Sequence, residues 1–591
     1  MFKTYVKIAW RNLMRNKVFS FINIFGLSVG LTCCILITLF IVHETSYDKF
    51  QKNANRIYQI ATIFYYEGVE HKSATTSAPI GKVLQQDYPE VQSSTRLLGL
   101  FNDDKTLFQV KENDDTYNSI YETRGYLADS NFFQILSYQF KEGDPKTALK
   151  EPNSVVINED IANKLFGSSS ALNKIVHISS STNGDSNYRV TGVFITPSKP
   201  THLDARFFIS FRGGSMDPLA NNNNDFANNN MFYTYLLLKN SSDAKTLQQK
   251  LSAFVQRHLG EELKKRGQDR KYMLTSLPDI YLSGANEHAT SSGSKTSLFI
   301  LGSIALLTLL IACINFMNLS TANSSKRAAE VGVRKVLGAE KKSLVRQFFG
   351  ESVMMSFIAL LFALLFTLLL LPFFERVAGK VLFIPAEQKI VLAVAFVLLA
   401  IITGILAGSY PAFYLSSFKP IKVLKGRFNN SLAAISFRKV MVVFQFSISI
   451  ILIVASVVIA NQMNYMRQKD LGFEKDQQVI IPLRTATAKN NYQAFKNDVT
   501  GSGTIASIGS GNAYPGIFHP QDWLMYKEGQ NMSNSKDVFI NTVDESFLQT
   551  VGVRLLAGRL FSNQFPSDTL HSFVVNEELL KQFGFLPRKM Q

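Results

Sequence analysis

The sequence predicts a multi-pass α-helical membrane protein with large α+β extracytoplasmic domains and an internal duplication. Three observations carry that reading. Five uncharged apolar runs, Val18 to Val42, Thr296 to Ser325, Ser352 to Phe374, Ile390 to Phe418 and Val440 to Met466, each exceed the roughly 20 residues a helix needs to cross a hydrocarbon core about 30 Å thick. The formal charge of +17 is concentrated beside those runs. Residues 1–20 hold five basic and no acidic groups, residues 321–350 seven basic and two acidic, and residues 417–439 six basic and no acidic. Finally, DSNFFQ at 129–134 returns as DESFLQ at 544–549, and SVVINED at 154–160 as SFVVNEE at 572–578. Order and approximate spacing are both kept, which marks a repeat.

Alternation of five spans places the three basic stretches on one side. By the positive-inside rule that side is the cytosol, with the N-terminus inside and residues 44–295 and 463–591 outside. A nucleic-acid footprint would instead form a basic stripe on one folded domain, so nucleic acid is excluded as a partner and membrane lipid is implied.

The elements follow in chain order. Residues 1–17 carry Lys3, Lys7, Arg11 and Arg15 on one helix face and Tyr5, Val6, Ala9, Trp10, Leu13 and Met14 on the other, the pattern of an amphipathic helix in the cytosolic interface. The first span, 18–43, is too long for a signal peptide and lacks an A-x-A site, so it reads as an uncleaved anchor. Residues 44–295 mix strand-like stretches (56–65, 154–157, 188–194, 232–238) with a helical pattern at 245–258, giving an α+β outside domain. The asparagine clusters 221–224 and 228–230 read as a mobile loop. The second span covers 296–322, a cytosolic region 323–350, the third span 351–373, a short external loop 374–389 and the fourth span 390–414. Pro411 and Pro420 are expected to kink and then stop that helix. A cytosolic linker, 415–439, leads to the fifth span, 440–462. Residues 463–591 form a second outside domain, which the repeat predicts to be incomplete and poorly packed: the first copy continues through about 120 further residues and three spans, so the chain reads as cut short. Cys33, Cys34 and Cys313 all lie within apolar spans, so the outside regions fold without disulfides and these thiols read as small core residues.

Several chemistries are excluded. No G-x-x-x-x-G-K-[ST] phosphate loop occurs, the eight histidines are scattered, and no catalytic or metal-binding constellation is visible. None of the spans carries an ionisable interior residue, which argues against ion-coupled transport. A cytosolic partner is then the simplest energy source.

The stretch KRAAEVGVRKVLGAEKKSLVRQFFG, 326–350, resembles the coupling region of MacB/FtsX-type ABC transporter permeases, in which R-x-x-E-[IV]-G-x-R-K-x-L-G-A is characteristic. The motif stands here as Arg327, Glu330, Gly332, Arg334, Lys335, Gly338 and Ala339 at matching spacing. ETSYDKF at 44–50 and GSYPA at 408–412 add to the likeness, and the duplicated layout is similar to the eight-span subgroup common in Bacteroidetes. The resemblance implies a MacB-like periplasmic core fold for the outside domains and an inner-membrane location. It also implies that these seven residues form an ATPase-coupling site. As no ATPase domain is present, a separate cytosolic ABC ATPase subunit would bind ATP and Mg, and this chain would be no enzyme. Export with a periplasmic adaptor and outer-membrane channel is one use of such a permease. Activation of a cell-wall hydrolase, as in FtsX-type scaffolds, is the alternative.

Overall fold

A computed structural model describes residues 17–66, 69–101, 105–113, 116–284, 292–322, 331–416, 432–517, 521–530 and 532–585, with Arg11, Met14, Arg15 and His519. The interfacial helix expected at 1–17, Arg327, Glu330 and Pro420 therefore lie wholly or largely outside the described residues. The chain divides into a helical unit, 1–46 with 294–469, and a sheet unit, 47–293 with 470–591.

The helical unit holds five helices long and apolar enough to cross a membrane: α1 (Lys17–Glu44), α2 (Lys295–Ala322), α3 (Lys341–Ala378), α4 (Ala386–Ser416) and α5 (Leu432–Gln468). Helix ends differ from the expected span ends. α3 takes in residues 341–350 of the expected cytosolic region and 374–378 of the expected external loop, and α4 runs through Pro411 to Ser416. Charged residues set where a helix leaves lipid, but they do not stop its backbone hydrogen bonding.

Apolar burial drives helices together weakly in lipid, so close packing and interhelical hydrogen bonds must do so. Small residues permit both here. A Cβ on Gly404 of α4 would lie 2.6 Å from Val353 Cα of α3, and one on Gly30 of α1 would lie 2.9 Å from Ala312 Cβ of α2. Ser28 Oγ donates to Ala359 O at 3.1 Å and Thr32 Oγ1 to Ala363 O at 3.4 Å, tying α1 to α3. Ser356 Oγ donates to Ala400 O at 2.6 Å and ties α3 to α4. Leu31, Cys313, Ala359 and Ala407 sit in the shared core. α5 is held more lightly. Asn318 Nδ2 donates to Gln445 Oε1 at 3.3 Å, and the Tyr410 and Phe437 rings stack at 4.7 Å.

The sheet unit contains thirteen strands in one sheet: β1 (Ile57–Tyr66), β2 (Val69–Ser73), β3 (Val91–Gly99), β4 (Thr106–Asn113), β5 (Thr116–Glu122), β6 (Gly125–Ala128), β7 (Phe140–Gly143), β8 (Ser154–Asn158), β9 (Ile175–Ser180), β10 (Gly184–Phe194), β11 (Phe207–Ser210), β12 (Tyr233–Leu238) and β13 (Asp269–Ser276). Their order is β13-β1-β12-β3-β6-β11-β8-β10-β9-β4-β5, with β2 on β1 and β7 on β10. β8, β11 and β12 are buried at every residue. Alternate side chains serve opposite faces: Val156 and Phe208 enter one core, Val155, Ile157, Phe207 and Ile209 another. The segment that follows α1 is anchored in this unit. The Tyr47 ring stacks on Tyr281 at 3.5 Å. Buried Asp48 accepts from His202 N at 3.1 Å and Thr201 Oγ1 at 2.7 Å, and His202 Nε2 lies 2.8 Å from Tyr235 Oη.

The asparagine clusters are built rather than loose. Asn221 Nδ2 donates to Asp217 Oδ1 at 2.7 Å within the helix Asp217–Asn221. Asp225 accepts from Ala227 N, Asn228 N and Asn228 Nδ2. Short amide side chains cap turns by such bonds, a use that composition alone does not reveal.

The repeat is visible as local geometry. Asn158 and Asn576 both precede a helix with extended backbone, and their side chains accept from Ile161 N at 3.0 Å and Leu579 N at 2.9 Å. Phe132 and Phe547 open the matching short helices Phe132–Ile135 and Phe547–Thr550, and both are buried. Beyond that the copies part. Residues 572–576 form no strand, and Phe573 and Val575 are exposed, whereas β8 is fully buried.

Gly404→Leu is expected to force α3 and α4 apart, with an overpacking cost of about 1–3 kcal/mol. Thermal unfolding in detergent should show a midpoint several degrees lower, with Gly404→Ala milder; an unchanged midpoint for the leucine variant would show that the helices do not need this approach.

Candidate coupling site

Residues 331–336 are helical and are followed by a turn that leads into α3. Gly338 N donates to Lys335 O at 3.1 Å and Ala339 N to Arg334 O at 3.0 Å, with Gly338 at φ +93°. This pair of bonds is the Schellman ending of a helix, which needs a residue in the left-handed region and so favours glycine. The Gly-Ala dipeptide of the motif is therefore a helix stop. Glu340 then adopts an extended backbone and precedes the first residue of α3.

The two described basic residues of the motif, Arg334 and Lys335, point inward, into the helical unit. Arg334 Nη1 donates to Gln347 Oε1 at 2.6 Å, and Gln347 Nε2 donates to buried Glu351 at 3.1 Å, so Arg334 is bound to α3. Lys335 Nζ donates to Ser416 O of α4 at 2.6 Å. Desolvation, and after it Lys341, holds the Lys335 ammonium below its ordinary pKa. Val331 packs with Leu344 and Phe348 of α3 and Ala412 and Leu415 of α4. Gly332 is buried beside it.

What faces solvent is apolar. Val333, Val336 and Leu337 are 49%, 62% and 80% exposed. At spacings of three and four they share one side of the helix. Lys341, Lys342 and Arg346, in the first two turns of α3, are exposed as well. The structure thus brings together Gly332, Arg334, Lys335, Gly338 and Ala339, while Arg327 and Glu330 lie outside the described residues. Sequence reasoning weighted the charges and passed over Val333, Val336 and Leu337, although three apolar residues at helical spacing in a basic cytosolic stretch are a legible signal. Gln347, Glu351 and Ser416 were not legible, because tertiary packing alone brings them to the turn.

Fold and site together define a multi-pass permease, with a clamped turn in its helical unit and a large mixed sheet in its other unit. Residues 20–254 match the MacB-like periplasmic core domain, and residues 302–420 match the FtsX-like permease C-terminal domain. The chain belongs to the MacB/FtsX-type ABC transporter permeases. It is 25% identical over 278 residues to the macrolide export ATP-binding/permease protein MacB of Bdellovibrio bacteriovorus, covering 46% of this chain and 38% of that protein. It is 22% identical over 445 residues to the uncharacterized ABC transporter permease YvrN of Bacillus subtilis, covering 71% and 99%. The periplasmic region of MacB from Actinobacillus actinomycetemcomitans aligns at 14% identity and a TM-score of 0.26, covering 39% and 94%.

Gly338→Val should strain the turn by about 1–2 kcal/mol, because a β-branched residue disfavours positive φ. Amide hydrogen exchange over residues 331–340 is the measurement. Faster exchange confined to that turn is expected, with Gly338→Asn intermediate; equal protection in all three proteins would contradict the Schellman assignment.

Proposed function

We propose that the chain is the permease subunit of an ABC exporter, and that its 331–340 turn is where a separate cytosolic ATPase takes hold. The observation that carries this is the outward stripe of Val333, Val336 and Leu337 on a turn clamped to both α3 and α4. An apolar ridge suits a groove on a partner protein. ATP and Mg belong to that partner. Arg327 and Glu330 would add polar contacts at its edge, whereas Arg334 and Lys335 fix the turn to the helices. Force on the turn would then move α3 and α4 together, and the spans would carry that motion to outside domains. Export through a periplasmic adaptor and an outer-membrane channel uses this movement, as would activation of a cell-wall hydrolase.

Replacing Val336 and Leu337 by Asp puts two carboxylates into the docking face. Recovery of the ATPase with the tagged permease should fall at least about tenfold, equivalent to about 1.4 kcal/mol, with the permease itself still extractable and folded. Undiminished recovery, together with undiminished stimulation of ATP turnover, would remove the stripe as the docking face.

The orientation is tested separately. In a cysteine-free background, a single cysteine at Ser215 should react with an impermeant maleimide in spheroplasts. Reaction only after lysis would invert the topology.

A further inference from the structure

A cavity of 2020 Å³ opens in the sheet unit. One wall comes from the ends of β1 and β13 and the 227–230 turn, the other from residues 517–584. Its charge is one-sided. Lys72, Arg124, Arg266, Arg270, Lys527, Lys536 and Lys581 line it against Asp522 and Asp537. Lys72 pairs with Glu70, Arg124 with Asp204, and Arg266 with Glu262. Arg270, Lys527 and Lys581 have a different environment. Arg270 is 4% exposed, donates to Phe226 O at 3.2 Å and Ala227 O at 2.8 Å, and lies 4.8 Å from the Phe64 ring centroid. Its Nε is buried without a hydrogen-bond partner. Lys527 Nζ sits 4.9 Å from the Phe585 ring centroid, and Lys581 has no ion-pair partner among the described residues.

The two acids offset little of this. Partial burial, and then the neighbouring Asp522, push the Asp537 carboxyl up to about 7, so near that pH the pair holds a proton part of the time. Between the charges lies apolar surface: Tyr65, Trp523 and Phe583 line the same cavity, and Trp523 is 50% exposed. Cations at the wall with aromatic faces between them suit a ligand that is anionic at one end and apolar at the other.

We propose that this cavity is a binding site for a single-chain anionic amphiphile, its head held by Lys527, Lys581 and Arg270 and its chain laid against Trp523. Trp523 also reports on occupancy, because the sequence contains two tryptophans and the other is Trp10. The test uses the full chain carrying Trp10→Phe, in nanodiscs of zwitterionic lipid, titrated with ω-bromoundecyl sulfate, whose bromine quenches indole on contact. Saturable quenching of Trp523 is expected. The neutral ω-bromoundecanol should bind at least about tenfold more weakly, and Lys527→Glu with Lys581→Glu should weaken the sulfate by a similar factor while leaving the alcohol unchanged. Should that double variant fail to fold, salt serves instead: raising ionic strength should weaken the sulfate and spare the alcohol. Equal affinity for sulfate and alcohol, non-saturable quenching, or insensitivity to both salt and charge reversal would each overturn the assignment.

Discussion

Everything in the helical unit depends on how closely α3 can approach its neighbours. α3 has 38 residues, about 57 Å at 1.5 Å per residue, nearly twice the hydrocarbon thickness. It is tied to α1 through Ser28 and Thr32, and to α4 through Ser356 and the bare Gly404 surface. At one end it anchors Arg334 through Gln347. Just beyond the other, Lys380 Nζ lies 2.7 Å from buried Glu44, and Phe383 N donates to His43 Nδ1 at 2.9 Å. Both acceptors belong to the end of α1. α3 and the residues just beyond it are thus bonded to neighbouring elements toward both ends. α1 in turn runs on into Tyr47 and Asp48, which are held by stacking and by the His202 network.

The coupling turn shows why charge alone misleads. A basic cytosolic stretch satisfies the positive-inside rule wherever its side chains point. Arg334 meets Gln347, which bonds buried Glu351, and Lys335 meets the Ser416 carbonyl, so both are bound to the helices. Val333, Val336 and Leu337 beside them are exposed. Of the motif, Gly338 was the most legible part. It interrupts an otherwise helical pattern in the sequence, and it takes a positive φ where the helix stops.

The spans were legible because length and absence of charge are properties of contiguous sequence. The sheet was legible only as to its class. Strands at 154–158, 184–194 and 233–238 stand close to where their apolar runs lie, yet an order of β13-β1-β12-β3-β6-β11-β8-β10 joins strands far apart in the chain. β8 pairs parallel to β10 and antiparallel to β11. Such pairings are set by which faces must be buried on both sides, and no local pattern encodes them. The same holds for Asp48, His202 and Tyr235, which come from three distant stretches and meet only once the sheet has formed.

The repeat separates local from non-local information within one molecule. Asn158 and Asn576 make the same cap because a cap needs only its own residue and the amide three positions on. Phe132 and Phe547 open the same short turn for the same reason. β8 needs more than its sequence. Its hydrogen bonds are taken up by β10 and β11, supplied by residues 184–194 and 207–210, and no described residue plays that part for 572–576. Like sequence thus gives like caps and turns in both places, but a buried strand only where partner strands lie alongside. That contrast locates the specification of the sheet in pairing rather than in the repeated motif, since Val155, Val156 and Ile157 are fully buried while Phe573 and Val575 remain exposed.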